Sequence, residues 1–135
     1  MSALQLHHVS ISVSDLDNAM VFYHEFLELD LLERPPFPSR GAWLACGACQ
    51  VHLNPHPPET LNANRFISPV HPHFALRAAD FDYWTAKLAN HGYSEDLPAD
   101  NSKKIRIDRN SLAGFPQLYL TDPDCNIIEI NSAPM

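Results

Sequence analysis

Four side chains that commonly bind metal ions occur at matching places in two halves of the sequence. The segment that opens at His8 aligns without a gap with the segment that opens at His73, and each half closes in a similar tetrapeptide that contains His52 or Glu129. A repeat that occurs only twice indicates a duplicated module. Three imidazoles and one carboxylate are suitable ligands for Zn, Fe, Ni, Co or Mn. The repeat therefore predicts one divalent metal per chain, held by these four residues.

Each of the four residues falls on the polar side of an alternating segment. Residues 6–14 and 73–79 alternate between apolar and polar side chains, which is typical of a half-buried strand, and both histidines lie on the polar side. On the closing strands, His52 and Glu129 are flanked by apolar side chains that point the opposite way. A single histidine or glutamate on such a strand is usually a solvent-exposed residue without a function, whereas four at equivalent positions favour a shared site.

The periodicity predicts the same order of elements in both halves. The elements that follow each opening strand are helices at 15–27 and 80–91, short strands near 28–33 and 93–97, and hairpins at 42–53 and 117–131. Each half thus reads β-α-β-β-β. The predicted fold class is α+β, with two tandem βαβββ modules that form a cupped mixed sheet with helices on the outside.

The length of 135 residues fits a single domain, which we place at 1–135. Module one covers about 5–54, a Pro-rich linker covers 55–72, and module two covers about 73–131. The second half is the longer one, and its surplus falls in the polar loop 98–114, which is a candidate lid.

Charge and cysteine usage exclude several classes of function. The net charge of -7, with a basic cluster confined to 103–109, argues against binding of nucleic acid or anionic membranes. No apolar run approaches the roughly 18 residues of a membrane span, and no signal peptide is visible, so we expect a cytoplasmic protein. Three cysteines argue against a disulfide scaffold, and Cys46-Gly47-Ala48-Cys49 is interpreted as a hairpin turn rather than a metal or redox site.

Several motifs together resemble the vicinal oxygen chelate superfamily. This superfamily contains lactoylglutathione lyases, bleomycin-resistance proteins, fosfomycin-resistance thiol transferases and extradiol dioxygenases. The matching segments, which span nearly the whole chain, are His8-Val9-Ser10-Ile11, Phe22-Tyr23, His73-Phe74-Ala75-Leu76, Asp122-Pro123-Asp124 and Ile128-Glu129-Ile130. They are specific for the superfamily and not for one reaction, because this scaffold carries several chemistries.

The resemblance implies roles for individual residues. His8, His73 and Glu129 match the ligands that most metal-dependent members share. His52 stands where bacterial lactoylglutathione lyases usually carry a glutamate that is both ligand and proton shuttle. Cys125 stands where the family usually has glycine, in a turn that often needs positive φ.

Three functions remain open at this point. The first is a lyase or isomerase, in which a metal binds two neighbouring oxygens of a small substrate and stabilises an enediolate. In this reaction Glu129 or His52 would move the proton, and Arg77 would pair with a substrate carboxylate. The second treats His52 as an acid or base beside a 2-His-1-carboxylate metal site, as in ring-cleaving dioxygenases and thiol transferases. The third is a metal-free protein that binds a drug. Relatives commonly pair across a dimer, so we expect a homodimer whose ligands come from one chain or from two.

Overall fold

The computed structural model describes residues 3–56 and 67–134, and most of the predicted Pro-rich linker lies outside them. The chain divides into two compact units, Met1–Leu61 and Asn62–Met135. None of the helices in the described segments has the length and apolar composition of a membrane span.

The first unit is a mixed four-stranded sheet with one helix. Its elements in chain order are β1 (His8–Val13), α1 (Leu16–Met20), a π-helical segment (Val21–Phe26), β2 (Asp30–Leu32), β3 (Ala42–Cys46) and β4 (Cys49–Pro55). The strand order is β1-β4-β3-β2, where β1 runs parallel to β4 and the other pairs are antiparallel. Strand β4 is therefore central, and helix α1 packs against it.

The helix of the first unit begins as the sequence predicts and changes its hydrogen bonding half way. The Asp15 carboxylate accepts a hydrogen bond from the backbone N–H of Asn18 (3.0 Å), which caps the first turn. Beyond Met20 the helix widens, and the N–H of Leu27 donates to the carbonyl of Phe22 (2.9 Å), five residues earlier. The predicted helix at 15–27 is confirmed, although its second half is π-helical.

The second unit repeats this arrangement. Its elements are β5 (His73–Arg77), α2 (Phe81–Asn90), β6 (Arg106–Asp108), β7 (Gln117–Thr121) and β8 (Ile127–Asn131). The strand order is β5-β8-β7-β6, with β5 parallel to β8 and the other pairs antiparallel. Asp80 caps α2 by accepting from the N–H of Tyr83 (3.0 Å). Two βαβββ units in tandem are thus confirmed.

One strand of the second unit lies elsewhere than predicted. The strand expected near 93–97 is absent among the described residues there, where Ser94 forms only an isolated bridge with Lys104. The edge strand is β6, inside the loop that was predicted as a lid, and Ile105 just before it is buried. The cause is that β6 has three residues, of which one is apolar, so alternation gives no signal. The prediction of a lid over 98–114 is wrong where β6 pairs with β7.

Both hairpin turns place one residue in the left-handed region. Cys46 and Cys49 pair directly across the first hairpin, with Gly47 at φ 57°, so the prediction of a hairpin turn is confirmed. All three cysteines are free. Cys125 has φ 67° in the second hairpin, which confirms that this turn needs positive φ.

Candidate functional site

The strand register places the candidate ligands at equivalent points of the two sheets. His52 on central strand β4 pairs with Ser10, two residues after His8. Glu129 on central strand β8 pairs with Ala75, two residues after His73. His52 and Glu129 are 6% and 5% exposed, which is unusual for polar side chains and requires that each has partners.

His73 and Glu129 lie close together in the second unit. Nδ1 of His73 lies 2.7 Å from the carbonyl oxygen of His71, so Nδ1 carries the proton that this hydrogen bond needs. In the neutral ring Nε2 then has a lone pair, and it lies 3.5 Å from Oε1 of Glu129. Two electron-rich atoms facing each other attract a cation, either a proton or a metal ion. An imidazole that donates its other N–H to a backbone carbonyl is typical of a metal ligand.

Hydrogen bonds orient the carboxylate of Glu129. Its Oε2 accepts from Nδ2 of Asn131 at 2.5 Å and more weakly from Nε2 of Gln117 at 3.4 Å. Tyr119 pairs with Glu129 across the hairpin. Burial, followed by the hydrogen bond to Glu129 and the charge of this carboxylate, raises the pKa of Tyr119 to about 12. Oε2 accepts the hydrogen bonds from Asn131 and Gln117, and Oε1 is the oxygen that faces His73.

His8 and His52 of the first unit are also close, but their rings are stacked. The ring centroids are 4.0 Å apart and the ring planes differ by 13°. Trp43, which pairs with His52 across the β3–β4 hairpin, stacks on the same imidazole at 4.2 Å and 3°. Two rings at such short distances cannot share one face of His52, so the imidazole is enclosed between Trp43 and His8.

The environment of His52 favours its neutral form. Burial is the main cause that lowers the pKa of His52 below its ordinary value. The nearby His8, His7 and Arg34 lower this pKa further when they carry positive charge. Nε2 of His52 lies 2.8 Å from Oε1 of Gln50, so Nε2 carries the proton and Nδ1 has the lone pair.

The neighbours of the candidate ligands were mostly not singled out from the sequence. The register set by each hairpin turn could have indicated Tyr119 and Trp43, because each lies directly opposite a candidate ligand on the adjacent strand. His7 was also missed, and its Nδ1 lies 2.9 Å from Nδ1 of His8. One of these two nitrogens must donate to the other, and donation from His8 would leave its Nε2 with a lone pair.

Arg77 is exposed at the end of β5, opposite Asn131 and on the same face of the strand as His73. Within residues 3–56 and 67–134, no three His, Cys, Asp or Glu side chains come together closely enough to hold a metal ion. The structure therefore brings the candidate ligands together as two pairs, His8 with His52 and His73 with Glu129.

The fold agrees with the family to which the chain belongs. The sequence profile of the Glyoxalase/Bleomycin resistance protein/Dioxygenase superfamily matches residues 5–130, so the chain is a member of this superfamily. It is 29% identical over 127 residues to Glyoxylase I 4 of Arabidopsis thaliana, covering 93% of this chain and 68% of that protein. It is 26% identical over 131 residues to glutathione transferase FosA of Serratia marcescens, covering 93% of this chain and 79% of that protein.

Solved structures of the family are similar in fold. The lactoylglutathione lyase from Agrobacterium tumefaciens has a TM-score of 0.66 at 18% identity, covering 96% of this chain and 93% of that chain. A bleomycin-binding protein complexed with bleomycin has a TM-score of 0.70 at 18% identity, covering 98% of this chain and 100% of that chain. At these identities the similarity shows the fold and leaves the reaction open.

Proposed function

We propose that the chain is a divalent-metal-dependent enzyme that acts on a small substrate with two vicinal oxygens, in a reaction of the lyase or isomerase type. The observation that supports this most strongly is the pair formed by His73 and Glu129. Relatives in the family include enzymes of this kind by name, among them a glyoxylase and a lactoylglutathione lyase.

The donor set fits a divalent ion of the Zn, Ni, Co, Fe or Mn type. In the second unit, Nε2 of His73 and Oε1 of Glu129 face each other at 3.5 Å, which is close to the separation of two ligands on one ion. The partner hydrogen bonds of both side chains are already made elsewhere, to His71 and to Asn131. His8 and His52 are the candidate ligands of the first unit, and one chain or two supply the complete set.

Different residues of this chain would bind the metal, move the proton and hold the substrate. Bound there, a divalent ion would supply Lewis-acid stabilisation of the negative charge on two vicinal oxygens of the substrate when a proton leaves the hydroxyl-bearing carbon next to the carbonyl. Glu129, whose Oε2 is oriented by the hydrogen bond from Asn131, is a candidate base for that proton. His52, held neutral by burial, is the alternative base. Arg77 on the face of His73 would pair with a substrate carboxylate.

Elemental analysis of protein purified without added metal tests this proposal first. We expect about one divalent ion per chain, followed by turnover of a small α-hydroxycarbonyl substrate when the protein is loaded with Ni, Co, Zn or Mn. Turnover of the methylglyoxal–glutathione adduct should be low or absent, because His52 stands where lactoylglutathione lyases usually carry a glutamate. Protein without metal that also fails to take up any of these ions would refute the proposal. That result would favour the metal-free drug-binding function, for which the bleomycin-binding neighbour is the precedent.

A second function has a specific observation in its favour. Since His52 is enclosed in a stack, His8, His73 and Glu129 are the better ligand candidates, and this set is the 2-His-1-carboxylate type of dioxygenases and thiol transferases. The relative named glutathione transferase FosA agrees with the transferase version. Consumption of glutathione with fosfomycin under Mn, or uptake of oxygen with catechol under Fe(II), would replace the lyase proposal.

We also propose a homodimer, in keeping with the expectation from the family. Light scattering with metal bound is the measurement. A stable monomer that keeps its metal would show that one chain supplies all the ligands.

A further inference from the structure

We propose that Trp43 is a positioning residue that holds His52 in a three-ring stack with His8 and so withholds His52 from the metal, leaving His8 as the ligand that the first unit supplies. This inference rests on the proposed metal-dependent function. It assigns a role to Trp43 and removes His52 from the set of ligands.

The orientation of the rings is the first argument. An imidazole binds a metal through a lone pair that lies in the plane of its ring, at a nitrogen–metal distance of about 2.0–2.1 Å for zinc. The planes of His8 and His52 differ by only 13° while the centroids are 4.0 Å apart. Their in-plane lone pairs therefore lie in two nearly parallel planes, which a single ion cannot occupy together. One ring must leave the stack before both can bind the same metal.

The hydrogen bonding of His52 is the second argument. Its Nε2 donates to Oε1 of Gln50 at 2.8 Å, so this nitrogen has no lone pair to offer, and the lone pair of the neutral ring is on Nδ1, next to the ring carbon that joins the side chain. His73 in the second unit shows the opposite arrangement, because its Nδ1 is the donor and its Nε2 keeps the lone pair. The two histidines thus differ in which nitrogen carries the proton.

The stacking contact with Trp43 determines whether the ring of His8 or that of His52 can rotate more easily. His52 is buried between Trp43 and His8, whereas His8 is exposed and has an aromatic neighbour in this stack on one face. The ring of Phe37 also contacts Trp43, with its centroid 6.0 Å away and its plane tilted by 51°. Rotation of His52 would break two stacking contacts and the bond to Gln50, while rotation of His8 breaks one stacking contact and its contact with His7. His8 is the ring that can turn to a metal.

The test measures metal coordination in four proteins: the wild type, His52→Gln, Trp43→Leu and the control Trp84→Leu, which removes the other tryptophan from helix α2. The probe is Ni(II), and the readouts are the Kd from calorimetry and the number of imidazole ligands from X-ray absorption. We expect two imidazoles in the wild type, and a Kd for His52→Gln that is within about two-fold of the wild type. In Trp43→Leu the released His52 should bind, giving three imidazoles and a Kd lower by about ten-fold. Trp84→Leu should match the wild type.

Three imidazoles in the wild type, or a loss of more than about ten-fold in affinity for His52→Gln, would overturn the proposal. If the wild type binds no metal, the proposed metal-dependent function is refuted, and Trp43→Leu still tests the role of Trp43. Ni(II) binding that appears only in Trp43→Leu supports this role, and a Trp43→Leu protein that also binds no Ni(II) overturns it. If Trp43→Leu does not fold, Trp43→Phe replaces it. Phe keeps an aromatic ring against His52, so two imidazoles are expected, and a third would contradict the role of the stack.

Discussion

The two units place their candidate ligands at the same register and then use them differently. In the second unit His73 and Glu129 face each other with donor atoms 3.5 Å apart, whereas in the first unit His8 and His52 stack as flat rings. The residue on the neighbouring strand makes the difference. Tyr119 offers a hydroxyl to Glu129, and Trp43 at the equivalent point stacks the face of its indole ring on His52. A duplicated module therefore conserves the position of a side chain, while its local partner sets the direction of its donor atoms.

The largest effect is expected from removing the imidazole of the second unit. Changing a residue that only supports a metal ligand commonly weakens metal binding by about 10–100-fold, so His73→Ala, which removes a proposed ligand, should weaken it by at least about 100-fold. Calorimetric titration with Ni(II) measures this, with His91→Ala as a control for a histidine at the end of α2, outside both pairs. Circular dichroism should show an intact fold, because His73 is not among the buried core residues and its side chain is 22% exposed. Unchanged affinity would remove His73 from the site.

The second largest effect is expected from the hydrogen bond that orients Glu129, which the first unit lacks at the equivalent position. Asn131 and Asn54 are equivalent in the repeat, but Asn131 donates to Glu129 whereas Asn54 donates to Ser10. We expect Asn131→Ala to weaken metal binding by about 10-fold, in the lower part of the range for such supporting residues, and Asn54→Ala to leave it unchanged. Equal losses in the same titration would show that the units do not differ in this respect.

Tyr119 gives a prediction for alkaline pH. Its pKa is about 12 in the folded chain, compared with about 10 in an unfolded chain, so the unfolded state loses this proton first. The stabilisation is fully present below pH 10 and is lost as pH rises to 12, by on the order of 2 kcal/mol. Urea unfolding at pH 9 and pH 11.5 should show this loss in the wild type and a smaller loss in Tyr119→Phe. The exposed Tyr83→Phe is the control, and it should behave as the wild type.

The smallest effect concerns the two hairpin turns. Gly47 has φ 57° and nothing within 4 Å of the position that a Cβ would occupy, so Gly47→Ala should cost about 1 kcal/mol from backbone strain alone. Cys125 already carries a side chain at φ 67° in the second turn, and that side chain is buried. Cys125→Ala keeps the same backbone strain and loses only contacts of the sulfur. Thermal unfolding measures both, and a neutral Gly47→Ala would show that this turn is not strained.

Long periodic segments of the fold were predictable, and short ones were not. Both helices and both hairpins follow from alternation, helical spacing and capping aspartates at 15 and 80. The edge strand of the second unit was misplaced, because Arg106–Asp108 is held by pairing with β7 and by the hydrogen bond from the N–H of Ile107 to Glu95. Contacts of that kind join residues far apart in sequence and leave no local pattern.

For the candidate site, the sequence alone determined which residues occupy equivalent strand positions and which face of the strand they share. These properties follow from the two-residue period of a strand and from the internal repeat. The tertiary structure decided which nitrogen of each histidine carries a proton, which oxygen of Glu129 faces His73, and whether His52 lies in a stack. Ring orientation depends on cross-strand neighbours such as Trp43 and Tyr119, and their contacts form only when the strands have paired.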